Sequence, residues 1–124
     1  MGCILRVAGV DLDADSCLRV CELEPCSIFR KGETYRGRVM QRSGFSVEVS
    51  SAGWDDLPQQ IEDAIAFLEL NQFKLEKLQF PGIEWRILDF PVESRDVASQ
   101  CDIFPARLLK LAGNIGIDIE ISRH

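Results

Sequence analysis

The spacing of apolar residues changes several times along this chain, and that change limits the fold more than any other feature. Between residues 115 and 121, isoleucines alternate with small or polar residues, which is typical of a strand with one buried face. Between residues 57 and 68, apolar residues recur three and four positions apart, which is typical of a helix with one buried face. Elements of both kinds must share one core, so we expect an α+β fold.

The patterns predict the order β-α-β-β-α-β-α-β, with a short extra helix from Asn71. The predicted strands cover residues 3–9, 35–41, 45–51, 83–92 and 115–121. The first six elements are compatible with a ferredoxin-like unit, and we expect a mostly antiparallel sheet with helices on one face and the first strand mid-sheet. Because 124 residues with 46% hydrophobic content build one core, residues 1–124 should form a single domain.

The helices are predicted from their caps and apolar faces. The first should begin after Asp13 and end at Pro25, and the second should begin at an Asp56-x-x-Gln59 cap. The last should cover residues 103–112 and end in a left-handed cap at Gly113 and Asn114. One core is expected to hold the following apolar side chains: Ile61, Ile65, Leu68, Ile117 and Ile119.

The two strands predicted at 35–41 and 45–51 are expected to form a hairpin around a three-residue turn, Arg42-Ser43-Gly44. This register would place Val39 opposite Val47 and Arg38 opposite Glu48, with Arg36 on the same face as Arg38. In the strand at 83–92 the apolar residues change from odd to even positions, which predicts a bulge near Ile87 and Leu88.

Charge and cysteine content exclude several classes of function. The net charge of −6 argues against general affinity for nucleic acid, which depends on neutralising phosphates. The chain has neither an apolar run of about 20 residues nor the pattern of a signal peptide, so we expect no membrane contact and a cytoplasmic location. The number of cysteines, five, is odd, and a chain of this size does not need disulfides, so the thiols should be reduced.

Two clusters partly match metal sites. Cys17, Cys21 and Cys26 have spacings that fit neither paired zinc ligands nor iron–sulfur motifs, and the first two lie on the helix face that must be buried. The segment from Asp11 to Glu22 overlaps a calcium-loop pattern but lacks its glycine, so its aspartates are better explained as a helix cap. The sequence therefore predicts no metal and no cofactor.

Catalytic patterns are missing as well. The one histidine, His124, is the last residue, so the sequence has no Ser-His or Cys-His pattern. Asp55 and Asp56 are adjacent, which suits a helix cap better than a shared reacting centre. No catalytic residue is predicted, and a non-enzymatic function is favoured.

One stretch has the opposite charge from the rest of the chain. Residues 30–42 carry a charge of +4, so the remainder carries −10. The basic residues of this stretch are Arg30, Lys31, Arg36, Arg38 and Arg42. They are either a solvated hairpin face that discourages edge-to-edge aggregation or a patch for an acidic protein or a small anion.

Two segments resemble a family of small, mostly bacterial domains of unknown function. They are Gly9-Val-Asp-Leu-Asp, which closes the first strand, and Phe29-Arg-Lys-Gly-Glu, which follows Pro25. The closing helix and strand over residues 108–121 are also similar, so the resemblance spans nearly the whole chain, although Val10 stands where the family often has Asp. It implies a bacterial α+β domain and supplies no catalytic residues.

These observations favour a non-enzymatic binding module for an acidic protein partner. Some small acidic bacterial domains are immunity proteins that block a toxin, which is an analogy of size and charge only. The alternative is a small-molecule or anion-binding domain, or an enzyme of unrecognised type. A concave pocket lined by Trp54, Trp85 and convergent polar groups would indicate the alternative, and a flat charged surface without such a pocket would indicate a protein partner.

Overall fold

The computed structural model describes residues 2–124. This range contains four helices and seven strands, which confirms the predicted α+β class. The strands are β1 (Ile4–Gly9), β2 (Ser27–Phe29), β3 (Thr34–Tyr35), β4 (Arg38–Val39), β5 (Ser43–Glu48), β6 (Trp85–Val92) and β7 (Asp118–Arg123). The helices are α1 (Ala14–Cys21), α2 (Leu57–Leu70), α3 (Gln72–Glu76) and α4 (Ala106–Asn114).

Five strands form the main sheet in the order β2-β5-β1-β6-β7, so β1 is central, as predicted. β1 is antiparallel to β5 and β6, β2 is antiparallel to β5, and β7 is parallel to β6. The connection through α1 joins β1 to β2 with β5 between them, and the connection through α2 joins β5 to β6 with β1 between them. These interleaved connections are the arrangement of a ferredoxin-like unit, to which α4 and β7 are added.

The predicted hairpin of residues 35–41 with residues 45–51 is wrong. β4 pairs only with β3, and β5 pairs with β1 and β2, so the pairs Val39–Val47 and Arg38–Glu48 do not form. Ser43 belongs to β5 rather than to a turn. The chain instead reverses at Arg36 and Gly37, whose φ angles of 50° and 77° are both positive, as the favoured two-residue hairpin turn requires.

This turn also corrects the predicted placement of the arginines. Arg36 lies in the turn, whereas Arg38 lies in β4 directly opposite Tyr35, so the two arginines do not alternate along one strand. The β3–β4 hairpin stands outside the five-stranded sheet as an insertion between β2 and β5.

α1 begins as predicted but ends earlier. The Asp13 side chain caps it by accepting a 3.1 Å hydrogen bond from the Ser16 amide. The helix stops at Cys21 because Glu22 adopts a left-handed conformation with φ 59°, so Pro25 lies in the following loop and does not end the helix.

α4 is shifted towards the C-terminus relative to the predicted 103–112. It begins after Pro105, because the residue before a proline is disfavoured in helical conformation. Its left-handed residue is Gly116, with φ 73°, and not Gly113 or Asn114. The Ile117 amide donates to the carbonyl of Ala112 at 2.9 Å, which closes a Schellman motif.

β6 contains no bulge. Its pairing with β1 is continuous from Trp85 to Asp89, so the bulge predicted near Ile87 and Leu88 is wrong. Leu88 and Phe90 face the helices and are fully buried, while Trp85 and Ile87 lie on the opposite face of the sheet. The odd and even apolar residues therefore belong to two different faces of a regular strand.

The core lies between the sheet and the helices. α2 contributes Ile61 and Leu68 to it and is capped by Asp56, whose side chain accepts a 3.3 Å hydrogen bond from the Gln59 amide, as predicted. Ile117 also belongs to the core, as expected. The remaining two residues of the predicted set, Ile65 and Ile119, are only partly buried and pack against its margin.

Within residues 2–124, none of the helices has both the length and the apolar character needed to cross a membrane.

Candidate binding surfaces

The β3–β4 hairpin is the first candidate surface, and it projects from the domain. Every residue from 31 to 39 is exposed, so this segment buries no side chain in the core. Tyr35 and Val39 are each 57% exposed although both are large and apolar. We define the hairpin tip as Tyr35, Arg36, Arg38 and Val39.

The base of the hairpin is held by contacts with the rest of the domain. Arg30 forms a two-pronged ion pair with Asp15, with nitrogen–oxygen distances of 2.8 and 3.0 Å. This hydrogen bond lowers the pKa of Asp15 and raises the pKa of Arg30. The Lys31 amide donates to the Ser43 hydroxyl at 2.9 Å, and the Met40 amide donates across the hairpin to a carbonyl at 2.8 Å.

Arg42 has a different environment from the hairpin tip. Its guanidinium lies 4.6 Å from the centroid of the Trp85 ring, and its Nε lies 3.4 Å from the Glu84 carboxylate. These contacts hold Arg42 against the face of the sheet that is opposite the helices.

The five basic residues predicted as a patch are therefore divided by the structure. Arg30 and Arg42 are paired with acidic residues from other parts of the domain. Lys31, Arg36 and Arg38 form no salt bridge with any residue in the range 2–124. Of these five residues, the three that are unpaired therefore lie on the hairpin itself.

The hairpin tip combines charge with exposed aromatic surface. Tyr35 and Arg38 lie directly opposite each other, and the Arg36 guanidinium lies 5.4 Å from the Tyr35 ring centroid. Tyrosine and arginine are enriched among the residues that contribute most to protein–protein binding.

A cleft of about 650 Å³ is the second candidate surface. It lies between the N-terminal half of α2 and the loop of residues 93–105, which connects β6 to α4. Its apolar lining includes Trp54, Leu57, Ile61, Ile65, Val92 and Ile103. Four acidic residues, Asp55, Glu62, Glu93 and Asp102, and one arginine, Arg95, also line it.

Hydrogen bonds give the 93–105 loop a defined shape. The Gln100 side chain accepts from the Arg95 amide at 3.0 Å and donates to the Glu93 carbonyl at 3.0 Å. The Arg95 guanidinium donates to the Asp102 carboxylate at 3.1 Å. On the other side of the cleft, Trp54 is fixed by stacking on His124, with 4.5 Å between ring centroids.

Only one of the two tryptophans considered from the sequence lines the cleft. Trp54 does so, but Trp85 lies beneath Arg42 on the sheet face opposite the helices. Neither pattern described from the sequence is present in full, since the pocket lacks Trp85 and the charged surface is a projection rather than a flat face without a pocket. The sequence did not identify the cleft because residues 93–105 have no periodicity that indicates their packing.

Several of the cysteines and aspartates that partly match metal sites have structural roles. Cys17 and Cys21 are fully buried in the core, and a hydrogen bond with Cys21 together with burial raises the pKa of Cys17. All five cysteines, which lie within the described range, are free. Asp13 caps α1 and Asp15 pairs with Arg30, so these carboxylates do not converge. Over residues 2–124, no group of three potential ligands is placed to hold a metal ion.

No protein-family model, curated protein or solved structure matches the chain. The resemblance to the bacterial domain family therefore stays a prediction. In the structure, its first motif joins β1 to α1. Gly9 lies so close to Gly82 that a β-carbon at Gly9 would overlap the Gly82 carbonyl oxygen, which gives this glycine a packing role.

Proposed function

We propose that this protein is a non-enzymatic binding module whose hairpin tip contacts an acidic region of a protein partner. The observation that carries the proposal is that every residue from 31 to 39 is exposed, including Tyr35, Arg36 and Arg38. These side chains contribute nothing to the core, yet the base of the hairpin is held in place by Arg30 and Ser43. An ordered projection with arginine and tyrosine at its tip has the composition of an interface hot spot.

A protein partner explains the tip better than a small anion does. Sites for small ligands are concave and surround most of the ligand. The tip is a projection, and one of its two arginines lies against Tyr35. Such a surface suits insertion between acidic side chains of a larger partner.

Protection against aggregation is a weaker explanation for the charges. Strands as short as β3 and β4, with two residues each, offer little template for edge-to-edge pairing. The longer sheet edge is β7, with six residues, and it carries its own charged side chains, Asp118, Glu120 and Arg123. The arginines of the hairpin tip are therefore not needed to protect an edge.

A cytoplasmic location is part of the proposal. It is supported by the five free thiols, because cysteines of secreted domains this small are usually paired in disulfides.

The test compares two charge-reversal variants in a pull-down from cells of the source organism. The first is Arg36→Glu with Arg38→Glu. The matched control is Lys110→Glu with Arg123→Glu, which gives the same change in net charge at two exposed residues that form no salt bridge within residues 2–124. We expect the wild type and the control to retain a common acidic protein that added salt releases, because exposed charges are screened over about 8 Å at physiological ionic strength.

The hairpin variant should lose that protein while its free energy of unfolding changes by no more than about 1 kcal/mol, since the tip is exposed. A second variant, Arg36→Asn, removes one charge but retains a residue that tolerates the turn conformation. It should weaken the association partially. Identical sets of retained proteins from all variants would refute the role of the hairpin tip.

A further inference from the structure

The cleft beside α2 has a different shape from the hairpin tip, because it is concave and the tip projects. Its volume of about 650 Å³ lies within the range of small-molecule sites, roughly 300–1,000 Å³. Hydrogen bonds of Gln100 and Asp102 support one of its walls, and the stacking of Trp54 on His124 supports the other. A cleft with fixed walls loses little conformational entropy on binding.

The apolar side chains that line the cleft favour a ligand with an apolar body. Ile61 and Leu57 form part of its surface, and Ile103 lines it while remaining 84% exposed. An isoleucine held in this way, without burial in the core, leaves apolar area that a ligand can cover. Trp54 adds an aromatic wall that is only partly covered by the domain.

The charges around the cleft determine the sign of the charge that a ligand should carry. Arg95, the basic residue of the lining, is already paired with Asp102 at 3.1 Å. Asp55, Glu62 and Glu93 form no salt bridge anywhere in the described chain. Three unpaired acidic groups around an apolar cleft attract a cation and disfavour an anion.

We propose that this cleft binds a small organic cation in which a protonated amine is joined to an apolar body. The apolar body contacts Trp54, Ile61 and Ile103, and the ammonium group lies towards Glu62, Asp55 and Glu93. A Trp face also attracts ammonium ions directly. This site is separate from the hairpin tip, so either proposal can fail without the other.

The probe is 2-phenylethylammonium, compared with 2-phenylethanol and phenylacetate, which keep a similar aromatic body and change the charge. Binding is measured by the fluorescence of Trp54 in a Trp85→Phe background and by calorimetry. We expect weak, saturable binding of the ammonium ion with a dissociation constant of about 1 mM, as is usual for so small a ligand. The alcohol should bind at least about threefold more weakly, and phenylacetate should not bind measurably.

Three variants of exposed residues test the assignment without disturbing the fold. Glu62→Gln should weaken binding of the ammonium ion by about three- to fivefold but leave binding of the alcohol unchanged. Ile103→Ser should weaken binding of both. The control Glu76→Gln, in α3 and outside the cleft, should change neither.

The proposal is overturned if the ammonium ion shows no saturable binding at concentrations up to about 10 mM, well above the dissociation constant expected for such a probe. It is also overturned if phenylacetate binds equally well, or if Glu62→Gln and Ile103→Ser behave like Glu76→Gln. Hairpin variants should leave binding of the probe unchanged, which separates this result from the test of the protein partner.

Discussion

Arg36 offers a direct test of the hairpin, because its backbone has a conformation that arginine rarely adopts. Its φ angle is 50°, in the left-handed region, and it precedes Gly37, whose φ angle is 77°. Asparagine tolerates this region far better than other residues with a β-carbon. Replacing Arg36 by Asn should therefore relieve strain in the turn, whereas replacing it by Ala should retain the strain.

Two free-energy contributions determine how much each substitution changes the stability of the hairpin. Left-handed backbone costs a residue with a β-carbon about 1 kcal/mol, most of which asparagine avoids. Both substitutions remove the contact between Arg36 and the Tyr35 ring, which contributes about 0.5 kcal/mol at an exposed site. Arg36→Asn should then stabilise the hairpin by about 0.5 kcal/mol and Arg36→Ala should destabilise it by about 0.5 kcal/mol.

Amide hydrogen exchange measures the free energy of local opening of the hairpin. The Met40 amide donates to the Glu33 carbonyl at 2.8 Å and the Gly32 amide donates to the Met40 carbonyl at 2.9 Å, so both report on the hairpin. Exchange at these amides should differ about fivefold between the Asn and Ala variants, which corresponds to about 1 kcal/mol. Core amides and the thermal midpoint should not change, because the turn buries nothing.

Equal exchange rates in the two variants would show that Arg36 does not occupy a left-handed turn. A fall in the thermal midpoint of either variant would show that the hairpin packs against the domain. The first result would refute the left-handed turn, and the second would refute the description of the hairpin as an exposed projection.

Three further predictions concern the core and the helix cap. Leu68→Ala should lower the free energy of unfolding in urea by about 2–5 kcal/mol, because it leaves a cavity. Gly9→Ala should also destabilise the fold in the same assay, since its β-carbon would overlap the Gly82 carbonyl oxygen. The hydrogen bond from the Ser16 amide lowers the pKa of Asp13 in the folded state. The stability advantage over Asp13→Ala should therefore be present at neutral pH and disappear as the pH falls through that pKa.

The second helix shows what the sequence could predict. Asp56 provides the cap, Pro58 lies in the first turn, and the apolar residues that follow recur at helical spacing through Leu68. Cap, proline and periodicity are independent local features, and here they agree. Where several local features agree, the element and its buried face follow from the sequence.

The hairpin shows where local features fail. Gly44 marked a plausible turn, but β5 pairs with β1, which lies far away in the sequence. That pairing buries Phe45 and Val47 in the core, which a pairing with the exposed residues around Val39 would not do. The partner of a strand is decided by such non-local burial, and no local pattern reveals it.

The two candidate surfaces also differ in how far the sequence predicts them. The basic stretch was visible because charge can be counted along the sequence, but its division into paired and unpaired arginines depends on Asp15 and Glu84, which lie in other elements. The cleft depends on how residues 93–105 pack against α2. A loop without periodicity gives no basis for predicting that contact.

If both proposals hold, the positions of the two surfaces in the fold explain how one acidic domain distinguishes ligands by charge. The hairpin interrupts the ferredoxin-like unit between β2 and β5, and the cleft lies between α2 of that unit and the loop that follows β6. The stretch of residues 30–42 carries +4 while the remaining chain carries −10. An acidic partner of the proposed kind would be repelled by most of the surface and attracted at the hairpin, which would restrict the orientation in which it associates. The same charge distribution would attract the proposed cation to the cleft, so the two surfaces would select ligands of opposite charge without competing for them.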